Sequence, residues 1–119
     1  MQIHEAKEDG VLILSVQGHV DTMSANQFET RLVQVISEGE RRICIDCSAM
    51  VYVNSAGLKG FLVAAKELDA KGGRLVLCCL SPNVHAIFDM IGFTQIIPIV
   101  ATREEALQRL SEPAVASAE

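Results

Sequence analysis

The sequence contains no tryptophan, and aromatic side chains of all kinds make up only 4% of its 119 residues. Half of the residues are nevertheless hydrophobic, so the core must consist mainly of valine, isoleucine, leucine and alanine. A chain of this length is enough for one domain and too short for two ordinary ones. Folding buries roughly two-thirds of the surface of such a chain, so we expect one core without covalent or metal cross-links.

Long apolar runs and clusters of basic residues are also missing. No apolar stretch approaches the ~20 residues that a membrane span requires, and the first ten residues lack the basic and apolar regions of a signal peptide. The net charge is −5 and the basic residues are scattered, which argues against binding to nucleic acid or to an anionic membrane surface. We therefore expect a cytoplasmic protein with no nucleic-acid partner and no membrane insertion.

Four cysteines occur as two close pairs, Cys44 with Cys47 and Cys78 with Cys79. Both pairs lie in segments with the composition of β-strands, where side chains one or three positions apart point to opposite faces. Neither pair could then close a disulfide or chelate a metal ion within its own strand. We therefore expect buried, reduced thiols and no metal site.

Turn and cap residues divide the chain into five strands and about four helices in the order ββαβαβαβα. Asp9 and Gly10 predict a hairpin between the first two strands. Ser81 as N-cap, Pro82 at the first helical position and Gly92 after the last turn delimit the third helix. Each boundary thus rests on a residue with a known local preference.

This order predicts an α/β fold. Strands that alternate with helices form a parallel sheet with right-handed crossovers, and the hairpin adds one antiparallel strand. We expect a single domain over residues 1–111, with a mixed, mostly parallel five-stranded sheet. Residues 112–119 have no apolar period and are expected to form a disordered tail.

Two connections at the carboxyl ends of the strands, where open α/β sheets concentrate function, are candidates for the site: residues 18–24 and residues 46–57. The second is longer than the roughly 2–6 residues usual for such loops and largely apolar, so it must pack and hold Ser55 firmly. Asn54 or Ser55 can cap the following helix. A phosphate on Ser55 would meet unpaired N–H groups and the positive end of the helix dipole, so capping and phosphorylation are compatible.

A catalytic role for Ser55 is a weaker hypothesis. A serine nucleophile needs a base within hydrogen-bond reach, and His19, on the other connection, is the histidine placed to approach it. No nucleophile-elbow sequence surrounds Ser55, and no glycine-rich phosphate loop precedes a helix. We therefore expect a binding protein without catalytic residues or a cofactor, not an enzyme.

The outer face of the second helix is poor in charge for a solvated surface. An inward stripe of leucine, phenylalanine and alanine leaves five residues outward: Lys59, Gly60, Val63, Ala64 and Glu67. This face is either covered by the chain's own packing or forms a docking surface for a partner, and the residues alone do not decide between the two.

The segments IDCSAMVYVNSAGL, GHVDTMSA and GGRLVLCCLSPNVHAIFDMIGF together resemble the STAS domain, and more narrowly the bacterial anti-sigma factor antagonists. The resemblance covers roughly Ile3 to Leu110. Its core is an Asp-x-Ser at a strand end, followed by an acidic or similar residue, the phosphoacceptor serine, a small residue, Gly and Leu. Those positions here are Asp46, Ser48, Asn54, Ser55, Ala56, Gly57 and Leu58.

The resemblance implies partner switching. The unphosphorylated antagonist binds an anti-sigma factor with serine kinase activity and frees the sigma factor; phosphorylation of the serine at Ser55 ends binding, and a serine phosphatase resets it. The residues expected to bind the partner are Asp21, Thr22, Asp46, Ser48, Asn54, Ala56, Gly57, Lys59, Gly60 and Val63.

Asn54 departs from the family pattern, which often has Asp before the phosphoacceptor. It keeps the cap and removes a negative charge next to the phosphate. Some STAS domains are instead subunits of secretion, stress-signalling or lipid-transport assemblies without control by phosphorylation, and this remains the alternative interpretation.

Overall fold

The computed structural model describes residues 1–111, and the predicted tail lies outside the described residues. These residues form one mixed sheet with four α-helices and a 3-10 turn at Phe93–Gln95. The strands are β1 (Gln2–Glu8), β2 (Val11–Val20), β3 (Arg42–Asp46), β4 (Met50–Val53), β5 (Arg74–Cys78) and β6 (Ile99–Val100). The helices are α1 (Ala25–Ser37), α2 (Ser55–Ala70), α3 (Pro82–Met90) and α4 (Arg103–Ser111).

The strand order is β1-β2-β3-β5-β6, with β4 paired to the far end of β2. β1 and β2 are antiparallel, and all other pairs are parallel. The hairpin turn lies at Asp9 and Gly10, which both have positive φ (54° and 78°), as the favoured two-residue turn requires. The predicted α/β class and mixed, mostly parallel sheet are therefore confirmed.

β4 is a sixth strand that the sequence did not predict. Met50 and Val53 are buried while Val51 and Tyr52 are exposed, so burial along the segment does not alternate as it does in a regular half-buried strand. It pairs with β2 beyond the point where β3 ends, and its register shifts between Gly18 and the next residue. The long connection between β3 and α2 is thereby part of the sheet, which explains its apolar composition.

Side chains of the central strands alternate between two cores. α1, α2 and α3 cover the larger one, in which the rings of all four phenylalanines follow one another at centroid distances of 4.7, 5.2 and 5.9 Å. The smaller core lies on the opposite face under α4 and consists of Val11, Ile13, Cys44, Val76, Cys78, Ala106 and Leu110. The sheet is therefore covered by three helices on one face and by one on the other.

Helix boundaries follow the cap residues where the sequence marked them. Ser81 accepts a hydrogen bond from the Val84 N–H, Pro82 opens α3, and Gly92 has a φ of 82° just after the helix. Among residues 1–111, no helix combines the length and the apolar character that crossing a membrane would need.

Candidate functional site

The join between β4 and α2 is organised by Asn54. Its side-chain oxygen accepts hydrogen bonds from the N–H groups of Ala56 (3.1 Å) and Gly57 (3.2 Å). Asn54, and not Ser55, is therefore the N-cap of α2. Since Asn54 already accepts from two N–H groups of the first turn, the hydroxyl of Ser55 is not needed as the cap.

The same residue ties this join to the connection between β2 and α1. The Asn54 amide nitrogen donates to the Thr22 hydroxyl (3.2 Å), and the Asn54 backbone N–H donates to the Val20 carbonyl (3.1 Å). Asp21 orders that second loop by accepting from the N–H groups of Met23 (3.0 Å) and Ser24 (3.3 Å). The two connections chosen from the sequence therefore form one surface.

Gly57 allows the close contact on which this surface depends. A Cβ atom at this position would lie 2.6 Å from the Val20 carbonyl oxygen and 2.9 Å from a Val53 methyl carbon. Both distances are far below van der Waals contact, and the first involves backbone that has no rotamer with which to move away. Gly57 is itself buried, so it supports the surface by allowing the close packing and is not exposed to a partner.

Ser55 is exposed at the first position of α2. Within the described part of the chain its hydroxyl makes no hydrogen bond, and no histidine bonds to it: the His19 ring instead faces Tyr52, at a centroid distance of 6.1 Å. The arrangement lacks the activating base that a serine nucleophile needs. A free hydroxyl at a helix N-terminus is, however, well placed to accept a phosphoryl group.

On the two joined loops and the first turns of α2 the exposed residues include Thr22, Met23 and Lys59, which follows Ser55 by one helical turn. Met23 is 93% exposed and Tyr52 45% exposed, so two large apolar side chains face solvent beside the two joined loops. The sequence reasoning missed both residues. Two features of the sequence could have identified them: Met23 lies in the loop that carries Asp21, and Tyr52 lies in the long connection before α2.

The prediction that α2 turns Gly60 and Ala64 outward is wrong. Both are buried, because α1 crosses this part of α2: a Cβ at Gly60 would lie 2.9 Å from a ring carbon of Phe28. Val63 is half-buried, and Lys59 is exposed. At Gly60 and Ala64 this face of α2 is therefore covered by the chain's own packing, which was one of the two alternatives left open by the sequence.

The hydrogen bonds of the Asp46 side chain go to Ser48 and Arg103, and none goes to the described residues around Ser55. Asp46 is buried, its side chain accepts from the Ser48 N–H (2.9 Å), and it forms an ion pair with Arg103 (2.7 Å) at the start of α4. Burial opposes ionisation of Asp46, but the bonds from Ser48 and Arg103 outweigh it and lower the pKa of this carboxyl. Asp46 therefore anchors the connection from within and offers no exposed surface.

The four cysteines are free thiols, and all except the half-buried Cys79 are buried. Cys44 and Cys47 point to opposite faces, as predicted. The same expectation is wrong for Cys78 and Cys79, which both contact the smaller core. Cys79 comes after the end of β5 with a φ of 63°, so the alternation of a strand does not extend to it.

Comparisons with known proteins agree with this architecture. Residues 2–106 match the family model described as STAS domain. The protein BtrV of Bordetella bronchiseptica, named as a candidate anti-sigma factor antagonist, is 41% identical over 106 residues, which are 89% of this chain and 91% of BtrV. The anti-sigma-B factor antagonist of Bacillus subtilis is 32% identical over 96 residues, covering 80% of this chain and 86% of that protein.

Solved structures show the same fold. The crystal structure of an anti-sigma factor antagonist from Mycobacterium paratuberculosis superimposes with a TM-score of 0.86 at 23% identity, covering 93% of this chain and 94% of the other.

Proposed function

This chain belongs to the STAS domain family, and we propose that it is an anti-sigma factor antagonist that works by partner switching. Its unphosphorylated form binds an anti-sigma factor that is also a serine kinase, and the sigma factor is released. The kinase then phosphorylates Ser55 and the complex dissociates, until a serine phosphatase removes the phosphate. Because the partners act on transcription, we place the protein in the cytoplasm.

The names of the relatives support the first part of this proposal. BtrV and the Bacillus subtilis protein are both named as antagonists of anti-sigma factors, and the similarity extends over most of each chain. The match to the family model, over residues 2–106, includes both connections of the candidate site. A regulatory binding protein is therefore favoured over an enzyme.

The exposed, unbonded Ser55 hydroxyl is the observation that carries the phosphorylation step. A kinase can reach it, and its modification would not break a hydrogen bond of the described fold. The positive end of the α2 dipole favours a dianion at this place, and Lys59 lies one turn away on the same helix. The phosphorylated protein is thus expected to keep its fold while its surface changes charge.

The same geometry suggests what the partner contacts. Thr22, Met23, Ser55 and Lys59 are all exposed on the joined loops and the first turns of α2. Apolar side chains such as that of Met23 supply contact area. A phosphate on Ser55, on the same contact surface, would have to lose its water when the partner binds. Desolvating an unpaired charge costs several kcal/mol, which is about a hundredfold or more in affinity.

The test uses the kinase anti-sigma factor from the same organism. Ser55→Ala should bind it with nearly wild-type affinity and should not be phosphorylated, whereas Ser55→Asp should bind about a hundredfold more weakly. Ser37→Asp, at an exposed serine at the end of α1, is the matched control and should bind normally. Equal affinities of Ser55→Ala and Ser55→Asp would contradict control by phosphorylation.

The alternative function is a STAS subunit of another assembly that is not regulated by phosphorylation. The neutral Asn54, where the family often has Asp, is the feature that favours it. Mass spectrometry of the protein isolated from its own cells separates the two, since a phosphate on Ser55 is expected only for the partner-switching function.

A further inference from the structure

A second cluster of reactive groups lies away from the face that carries Ser55. The carboxyl ends of β3 and β5 bring Asp46, Cys78 and Cys79 together beneath the first turn of α4. One ligand atom from each, a carboxylate oxygen or a sulfur, lies within 4.8 Å of the other two. The mechanism proposed above uses none of these thiols.

The local backbone creates this cluster. Asp46 and Cys78 are register partners in the parallel pair of β3 and β5, so their side chains leave the sheet on the same face. Cys79 joins them because its positive φ of 63° departs from the strand conformation. Few residues other than glycine, asparagine and aspartate adopt this region at low cost, so a cysteine here is unusual.

We propose that Asp46, Cys78 and Cys79 form a binding site for a thiophilic divalent cation of the zinc class. Two thiolates and one carboxylate are ligands that zinc accepts, and three protein ligands leave the fourth tetrahedral position for water. The half-buried Cys79 supplies access from solvent. On binding, each thiol releases its proton to solvent and the ion bonds to both sulfurs and to one carboxylate oxygen; nothing is oxidised or reduced.

The distances require little adjustment. Ligand atoms about 2.0–2.3 Å from a tetrahedral zinc ion lie about 3.3–3.8 Å from one another. Contraction from the observed limit of 4.8 Å is therefore about 1–1.5 Å at most, which side-chain rotation can supply.

The neighbouring charges suit an occupied site. Two thiolates and a carboxylate around a divalent cation leave one net negative charge, and Arg103 already donates two hydrogen bonds to one oxygen of Asp46 (2.7 and 3.1 Å). Carboxylates that ligate protein metal ions are themselves hydrogen-bonded by outer-shell groups. Arg103 would thus hold Asp46 in position and balance the charge.

The experiment titrates the reduced full-length protein with Zn²⁺ against a chromophoric chelator, and separately with Co²⁺, whose visible spectrum reports tetrahedral thiolate coordination. Cys79→Gly removes one ligand while suiting the positive φ, so it should fold. Cys47→Ala is the matched control, because Cys47 points into the opposite core and leaves all three ligands in place. Thermal melting of each variant confirms that it is folded.

We expect one equivalent of Zn²⁺ to bind to the wild type and a tetrahedral thiolate spectrum with Co²⁺. Cys79→Gly should bind at least about 100-fold more weakly, since losing even an outer-shell partner costs roughly 10–100-fold, and Cys47→Ala should bind as the wild type does. Wild-type affinity no better than that of Cys79→Gly, equal loss in Cys47→Ala, or an octahedral Co²⁺ spectrum would each overturn the proposal. All of these outcomes are independent of binding to an anti-sigma factor.

Discussion

Replacing Gly60 with alanine tests the contact between α1 and α2 most directly. The added Cβ would lie 2.9 Å from Cδ2 and 3.2 Å from Cε2 of the Phe28 ring, whereas carbon atoms in contact prefer about 3.5–4.0 Å. The ring has no free space to move into, since it is fully buried and its centroid lies 4.7 Å from that of Phe61. Either α1 must shift outward or the ring must leave its preferred rotamer.

Two terms of opposite sign decide the size of the effect. Alanine stabilises a helix by about 1 kcal/mol relative to glycine, and overpacking of a dense core costs about 1–3 kcal/mol. Because the Phe28 ring is held by its neighbours, we expect overpacking to prevail, with a net loss of about 1 kcal/mol in the free energy of unfolding. This corresponds to a melting temperature lower by about 4 °C for a domain of this size.

A double-mutant cycle with Phe28→Leu isolates the cause. The smaller side chain removes the ring edge that the new methyl group meets, so Gly60→Ala should then stabilise the protein by up to about 1 kcal/mol. Urea denaturation followed by far-ultraviolet circular dichroism measures all four corners, and Lys59→Ala, at an exposed position of the same helix, should stay within about 0.5 kcal/mol of wild type. If Gly60→Ala stabilises the wild-type background, the close packing of the two helices has been misjudged.

Two further substitutions probe the supports of the site. Arg103→Ala should lower the free energy of unfolding by about 1–3 kcal/mol at neutral pH, which is less than for a fully buried pair because the Arg103 side chain is 43% exposed. Since the pair lowers the pKa of Asp46, the full loss should be seen above about pH 5 and should disappear as the pH falls through that lowered pKa. A loss of the same size at every pH, measured by denaturation, would contradict this. Gly57→Ala should lower stability by more than about 2 kcal/mol, because its Cβ would lie 2.6 Å from the Val20 carbonyl oxygen; a wild-type melting temperature would show that the two loops are not in close contact.

Much of the fold was predictable because residues with strong local preferences sit at its boundaries. The Asp9-Gly10 turn and the Ser81 and Pro82 start of α3 were read from the sequence and are present. β4 was missed because it has only four residues and its buried and exposed positions do not alternate. It is a strand because it pairs with the far end of β2, and the sequence of the segment itself does not predict that pairing.

The site was predictable in part for the same reason. Residues 18–24 and 46–57 were chosen because open α/β sheets concentrate function at the carboxyl ends of their strands, and the structure joins the two connections through the bond between Asn54 and Thr22. The outward face of α2 was predicted wrongly because glycine and alanine occur both on exposed helix surfaces and in close helix contacts. Gly60 and Ala64 are buried because α1 packs on them, and the sequence of α2 does not show where α1 lies. The cluster of Asp46, Cys78 and Cys79 depends on the positive φ of Cys79, and a cysteine in the sequence does not predict a positive φ.

The unequal covering of the two sheet faces has a consequence for local unfolding. α4 buries two of its own residues, Ala106 and Leu110, whereas α2 buries six, so far less apolar surface must meet water when α4 detaches. Segments with few buried contacts open at lower free energy than the molecule as a whole. Amide hydrogens of α4 should therefore exchange ahead of those of α2, and the thiols of Cys44 and Cys78 should become accessible through this partial opening while the phenylalanine core stays closed.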